Sequence, residues 1–147
     1  MFKHLLVPVD GSELSLRAMD SSIELARQLG ARITAFVAEP DVPLAAVSSN
    51  PTTFVKQVEA HQAKSDAHAR NVLGAFEERA KAAGITFVGE TLTTVAVDNA
   101  IVETAERCDC DLILMVTHGR GAFGELLFGS HTKNVMSRTK RAVLVLH

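Results

Sequence analysis

Strand-type and helix-type segments alternate strictly along this chain, and that alternation restricts the folds open to it more than any other feature. His4 to Val9 (HLLVPV) is apolar on both faces after its first residue, which suits a parallel strand buried on both sides. Ser12 stands at a helix N-cap position. Leu16, Met19, Ile23 and Ala26 follow at helical spacing, and Gly30 closes the helix. Arg32 to Ala38 (RITAFVA) is rich in strand-forming residues and predicts a second strand. Glu39 to Pro51 carries three prolines and reads as a loop. Phe54 to Ala83 reads as a long helix, with Ala69, Val72, Leu73, Phe76, Ala80 and Ala83 on one face and Gly84 as its stop. Thr86 to Thr94 predicts a third strand with Phe87 as its buried residue. Asp98 is expected to cap a short helix holding Ile101, Val102 and Ala105. Asp111 to Thr117 predicts a fourth strand, Ser130 to Thr139 a last helix, and Ala142 to Leu146 (AVLVL) a last strand. The order β-α-β-α-β-α-β-α-β implies one α/β domain over residues 1–147, an open parallel sheet with helices on both faces.

Composition narrows the function. The formal net charge is -2 and no basic stripe exists, which argues against nucleic acid as a partner. Arg138-Thr139-Lys140-Arg141 reads as a helix C-terminus favoured by the helix dipole. The absence of Trp and Tyr leaves few surfaces on which bases stack. No run of 18 apolar residues predicts a membrane span, and Met1-Phe2-Lys3 leads straight into a strand without a signal-peptide pattern, so a cytoplasmic protein is expected. Cys108 and Cys110 have neither redox C-x-x-C spacing nor enough ligands for zinc, and read as reduced thiols.

The chemistry concentrates in Met115 to Thr132 (MVTHGRGAFGELLFGSHT), which follows the apolar Leu112-Ile113-Leu114. A strand, a loop carrying Gly119, Gly121, Gly124 and Gly129, and a helix start form a phosphate cradle. The glycines admit close backbone approach, and the helix start offers unpaired N–H donors. In an open parallel sheet, ligands bind at the carboxyl ends of the strands where strand order reverses. If strands 1 and 4 are neighbours there, Asp10 faces the cradle. Asp10 suits hydroxyls or a metal, and equally a turn or helix-start role. Ser130 suits a cradle and would also cap the last helix with no ligand present. Leu126, Leu127 and Phe128 read as packing anchors or dimer contacts. His118 and His131 would make a metal pair without an obvious third ligand, and His4, His61, His68 and His147 have no partner at ligand spacing.

These motifs together resemble the universal stress protein family over essentially the whole chain. The resemblance is carried by Leu6-Val7-Pro8-Val9-Asp10-Gly11-Ser12, by Thr117-His118-Gly119-Arg120-Gly121, by Gly129-Ser130, and by the terminal Ala142-Val143-Leu144-Val145-Leu146. The ATP-binding branch carries G-x-x-G-x9-G-[S/T]. Gly119, Gly129 and Ser130 fit that pattern, while Val116 replaces the first glycine and would narrow the ribose pocket.

The resemblance implies sheet order 3-2-1-4-5 and a homodimer formed by pairing the last strands, Ala142 to Leu146. It also implies an adenine nucleotide across the ends of strands 1, 2 and 4: ATP, with Mg or Mn, or alternatively AMP, cyclic AMP or none. Carried over by position, Pro8, Val9 and Asp10 line the end of strand 1, with Asp10 accepting from ribose hydroxyls. Adenine meets the backbone of Val37, and Met115 and Val116 flank the ribose. Gly119, Arg120, Gly129, Ser130, His131 and Thr132 surround the phosphates, and any metal sits with those phosphates near Asp10. The chain has no P-loop G-x-x-x-x-G-K-[S/T] lysine, no evident general base beside the cradle and no second acidic metal ligand. Nucleotide sensing or storage in a stress response is therefore expected rather than turnover. The alternative is a family member that has lost the nucleotide and acts through dimer contacts. A flavodoxin-like carrier fits less well, because the only aromatic residues are seven Phe.

Overall fold

The computed structural model describes residues 1–42, 48–117 and 130–147. Its elements are β1 (His4–Pro8), α1 (Glu13–Leu29), β2 (Arg32–Glu39), α2 (Pro51–Ala82), β3 (Phe87–Thr93), α3 (Val97–Arg107), β4 (Leu112–Val116), α4 (Ser130–Arg138) and β5 (Ala142–Leu146). All neighbouring strands are parallel, and the sheet order is β3-β2-β1-β4-β5, as expected.

Strand alternation divides the core into two layers. Leu5, Val7 and Val9 of the first strand and Ile33, Ala35 and Val37 of the second pack with Met19, Ala26, Val72 and Phe76 of α1 and α2. Leu6 and Phe36, one position out of phase, pack on the other face with Ile101, Ala105 and Val135 of α3 and α4. Each central strand is thus buried on both sides, which is why its sequence shows no polar alternation.

Helix ends depart from expectation in instructive ways. Leu16 is largely exposed, and the buried face of α1 runs instead through Ser15, Ala18, Met19, Ser22 and Ala26. Two serines can lie on that face because Ser22 Oγ donates to the Met19 carbonyl (3.0 Å) and Ser15 is bonded to the preceding turn. Ser12 occupies the N-cap position, but its side chain makes no capping bond. Gly30 ends α1 at φ 62°, a left-handed conformation that closes a helix without steric cost in glycine. The helix α2 starts at Pro51, three residues before the expected Phe54. Asn50 caps it by accepting from the N–H groups of Thr52 and Thr53, with Pro51 at the first turn where its missing N–H costs nothing. Asp98 does not cap α3: the N-cap is Ala96, and the Asp98 carboxylate bonds to side chains of α4. Among the described residues no helix is long and apolar enough to cross a membrane.

The amino edge of the sheet is tied by Asp111, whose two carboxylate oxygens accept the N–H groups of Lys3 (2.8 Å) and His4 (3.0 Å). His4 is buried, with Nε2 on Thr34 Oγ1 at 2.7 Å and Nδ1 without a hydrogen-bond partner. Burial, and then the Arg32 charge, hold its pKa below the ordinary 6.5, against the opposing pull of Asp109 and Asp111. The unfolded chain therefore takes up this proton first as pH falls. The contribution of His4 is complete above about pH 6.5 and declines below it, with a slope for one group of at most about 1.4 kcal/mol per pH unit. His4→Gln should flatten the fall in melting temperature between about pH 7 and 5. A variant that keeps the wild-type slope would place the acid sensitivity elsewhere. Cys108 and Cys110 are free thiols. Burial, with the neighbouring Cys108, pushes Cys110 up to about 12, which disfavours the reactive thiolate.

Candidate functional site

The chain runs from β1 outward through β2 and β3, then crosses back to place β4 on the other side of β1, so strand order reverses between β1 and β4. Pro8 opens that junction. Along β1, even-numbered residues direct their backbone groups at β4; the His4 carbonyl, for example, accepts from Asp111 N–H at 2.9 Å. The next donor needed to extend the β1–β4 ladder is at position 8, and proline has none. Paired residues accordingly stop at Leu6–Ile113, although β4 continues to Val116. Odd-numbered residues serve β2, where pairing continues through Pro8–Phe36 and Val9 N–H donates to the Phe36 carbonyl at 2.9 Å. A single residue thus separates two strands at one end while leaving the other ladder intact.

Asp10 stands at the mouth of this split, exposed at the start of the β1–α1 turn. Its Oδ1 accepts from Ser12 N–H (2.9 Å) and from Ser15 Oγ–H (2.8 Å). Ser15 Oγ in turn accepts from the N–H groups of Asp10 (2.8 Å) and Gly11 (3.1 Å). Partial desolvation raises the Asp10 pKa, but the bonds from Ser12 and Ser15 outweigh it and hold the carboxyl below its usual range. The bonds from Ser12 N–H and Ser15 Oγ–H are both made to Oδ1. The turn role is thus carried by this side chain.

Val37 is buried at the end of β2, in register with Thr91 of β3, so its N–H and carbonyl face β3. Ala38 is the next residue whose backbone groups turn toward the β1 side. Beyond it the Glu39 carboxyl is buried. Desolvation, followed by the adjacent Asp66 carboxyl, raises its pKa. Gln62 of α2 donates to both acids, at 3.4 Å to Glu39 and 2.8 Å to Asp66. At the end of β4, Met115 packs on the α3–α4 side. Val116, which stands in the place of a motif glycine, turns its half-buried side chain into the α1–α2 layer with Leu114, Leu144 and Leu146.

A helix leading from β4 into parallel β5 must begin at the carboxyl edge of the sheet, so Ser130, His131 and Thr132, the first residues of α4, share an edge with Asp10. Ser130 and His131 are exposed and Thr132 is buried. Asp98 joins this edge: it accepts from His131 Nδ1 at 2.5 Å and from Asn134 Nδ2 at 2.8 Å. Desolvation raises the Asp98 pKa, but Asn134, His131 and Arg138 more than offset it and keep the carboxylate ionised. Gly119, Arg120 and Gly129, with His118 and the Leu126-Leu127-Phe128 segment, lie outside the described residues. The structure therefore brings Pro8, Val9, Asp10, Val37, Met115, Val116 and the start of α4 to one edge. Sequence reasoning missed Ser15, a small polar residue on the buried face of α1, and also His68 and the Asp98–His131 pair, which no spacing rule links because their partners are far apart in the chain. Among the described residues no three His, Cys, Asp or Glu side chains are grouped to hold a metal ion.

A family model described as the universal stress protein family matches residues 1–147. A universal stress protein of Mycobacterium tuberculosis is 29% identical over 146 residues, covering 99% of this chain and 97% of the relative. Among solved structures, a universal stress protein in complex with cAMP is 26% identical with a TM-score of 0.69, covering 99% of this chain and 97% of the other. A member of the family from Burkholderia pseudomallei, 20% identical, shares the fold with a TM-score of 0.75 over 99% of this chain and 96% of its own.

Proposed function

This chain belongs to the universal stress protein family, and we propose that it binds an adenine nucleotide, ATP foremost, at the carboxyl edge between β1 and β4. The observation that carries this reading is the parting of those strands after Leu6–Ile113, with the Asp10 carboxylate at its mouth. Asp10 accepts from ribose hydroxyls, while Pro8, Val9, Met115 and Val116 border the sugar. The base lies toward Val37 and Ala38. The phosphates extend to the loop of Gly119, Arg120 and Gly129 and to the first turn of α4, at Ser130, His131 and Thr132, where N–H donors and the positive dipole end favour anions. Mg or Mn would enter with the phosphates, near the Asp10 carboxylate. The solved relative with cAMP supports an adenine nucleotide in such a site and makes cyclic AMP the second reading. The proposed role is recognition of the nucleotide in the cytoplasm rather than its turnover.

Mass spectrometry of ligand released from freshly purified protein, followed by calorimetry with ATP, AMP and cyclic AMP, tests this directly. ATP is expected as the tightest ligand. No binding of any of the three at about millimolar concentration, a free energy near −4 kcal/mol, would leave the nucleotide-free dimer as the better description.

We also propose a homodimer through β5. This strand is the edge of the sheet beside β4, its sequence is wholly apolar, and Val143 to Leu146 are only half-buried in the single chain. An apolar edge left open invites uncontrolled pairing, and two-fold pairing of identical edges covers it with one symmetric contact. Val145→Lys should yield monomer or insoluble protein. Sedimentation of the wild type at the mass of one chain, at micromolar concentration, would remove the dimer from this account.

A further inference from the structure

The helix α2 is 32 residues long, and only its second half is docked by buried apolar residues, Ala69, Val72, Phe76 and Ala80. Ahead of Ala69, polar side chains reach the carboxyl edge of the sheet. His61 Nε2 lies 3.3 Å from the Pro40 carbonyl, Gln62 meets Glu39, and His68 Nε2 lies 3.0 Å from the carbonyl of Asp10. A carbonyl oxygen only accepts, so His68 Nε2 bears the proton. The His68 ring also lies against Gly11, where an added Cβ would come within 2.9 Å of its Cε1 atom and of Val72 Cγ2. Gly11 has φ +84°, so its backbone is doubly committed to glycine.

The Asp10–Gly11 peptide is therefore gripped from two elements. Ser15 of α1 accepts from its Gly11 N–H, and from Asp10 N–H before it, while His68 of α2 donates to its carbonyl. Without His68 the Asp10 carbonyl loses this donor, and the turn that carries the carboxylate is held from α1 alone.

We propose that His68 is a positioning residue: by holding the Asp10 carbonyl it sets the Asp10 carboxylate against the ribose, and so determines how strongly the site prefers a ribonucleotide to its deoxy analogue. This rests on the nucleotide reading above. A site built to hydrogen-bond a hydroxyl discriminates against the ligand that lacks it, and the discrimination depends on the acceptor being held in place.

The test is calorimetry of ATP and 2′-deoxy-ATP with wild type, Asp10→Ala, His68→Leu and His68→Gln. Leucine keeps an apolar contact on Gly11 without a donor; glutamine restores an N–H donor. The wild type is expected to favour ATP by roughly tenfold or more, the worth of one good hydrogen bond. His68→Leu should lose most of that preference by weakening ATP more than deoxy-ATP, and His68→Gln should recover it. Because His68 is exposed, both His68 variants should show the folded circular dichroism of the wild type. If Asp10→Ala abolishes the preference while His68→Leu keeps it, His68 does not position Asp10 and the nucleotide site stands. Equal weakening of both ligands in His68→Leu would reduce His68 to general support of the fold. A wild type that binds neither ligand overturns the nucleotide reading and this proposal with it.

Discussion

Phe76→Ala should remove about 3–5 kcal/mol of folding stability, the range for truncating a fully buried aromatic ring. Phe76 is 0% exposed in the α1–α2 layer. Its ring sits 5.0 Å, centroid to centroid, from Phe87 at an interplanar angle of 59°, a tilted aromatic pair. This contact joins α2 to β3, the outer strand on that side of the sheet. The cavity left by alanine cannot be refilled readily, because the second half of α2 has small buried residues, Ala69 and Ala80, on either side of the ring. Urea unfolding at fixed protein concentration measures the loss, since self-association would otherwise shift the apparent stability. A loss below about 1 kcal/mol would mean that α2 is not anchored through this residue. The functional consequence follows from geometry: the same helix carries His61, Gln62 and His68 to the end of β1 and β2, so nucleotide affinity should fall with the docking.

The sheet was legible because its physical signal is local. A strand buried on both sides is apolar over most of its length, and His4 to Val9, Arg32 to Ala38 and Asp111 to Thr117 carry that mark. Topology followed from strict alternation and the handedness of crossover connections, and the order from the family resemblance. Phe87 was found but is only half-buried, because an outer strand offers one covered face. What escaped notice depends on contacts between residues distant in sequence. Leu16 satisfies helical spacing yet faces outward, since the turn bonded to Ser15 fixes the rotation of α1 and turns Ser15 inward. Asp98 has the residue type and placement of a cap, but His131 and Asn134 on α4 compete for its carboxylate and win it. Pro8 was visible as part of a motif. Its consequence, the early end of the β1–β4 ladder, needs the knowledge of which neighbour each backbone group faces.

The two duties of Asp10 can be separated by a pair of substitutions. Asp10→Asn keeps an oxygen able to accept from Ser12 N–H and Ser15 Oγ, so the β1–α1 turn should persist, while the charge available to ribose hydroxyls is lost. Asp10→Ala removes both functions. A hydrogen bond to a charged group is worth about 1.5–3 kcal/mol, so Asp10→Ala should weaken ATP roughly 10- to 100-fold, with Asp10→Asn between it and wild type. The alanine variant should unfold at the lowest temperature at neutral pH, with Asp10→Asn between it and wild type. The acid limb gives an independent check. The folded pKa of Asp10 lies below its unfolded value, so the carboxylate stabilises the fold above the ordinary carboxylate range and this contribution is lost as pH falls through the folded pKa. The stability gap between wild type and Asp10→Asn should accordingly close at acid pH, below about pH 4. Equal ATP affinity in all three proteins would move the ribose away from Asp10. Equal melting temperatures in all three would mean that the bonds to Ser12 and Ser15 contribute nothing to the fold, and that the turn is shaped by Gly11 and the contacts of α2 alone.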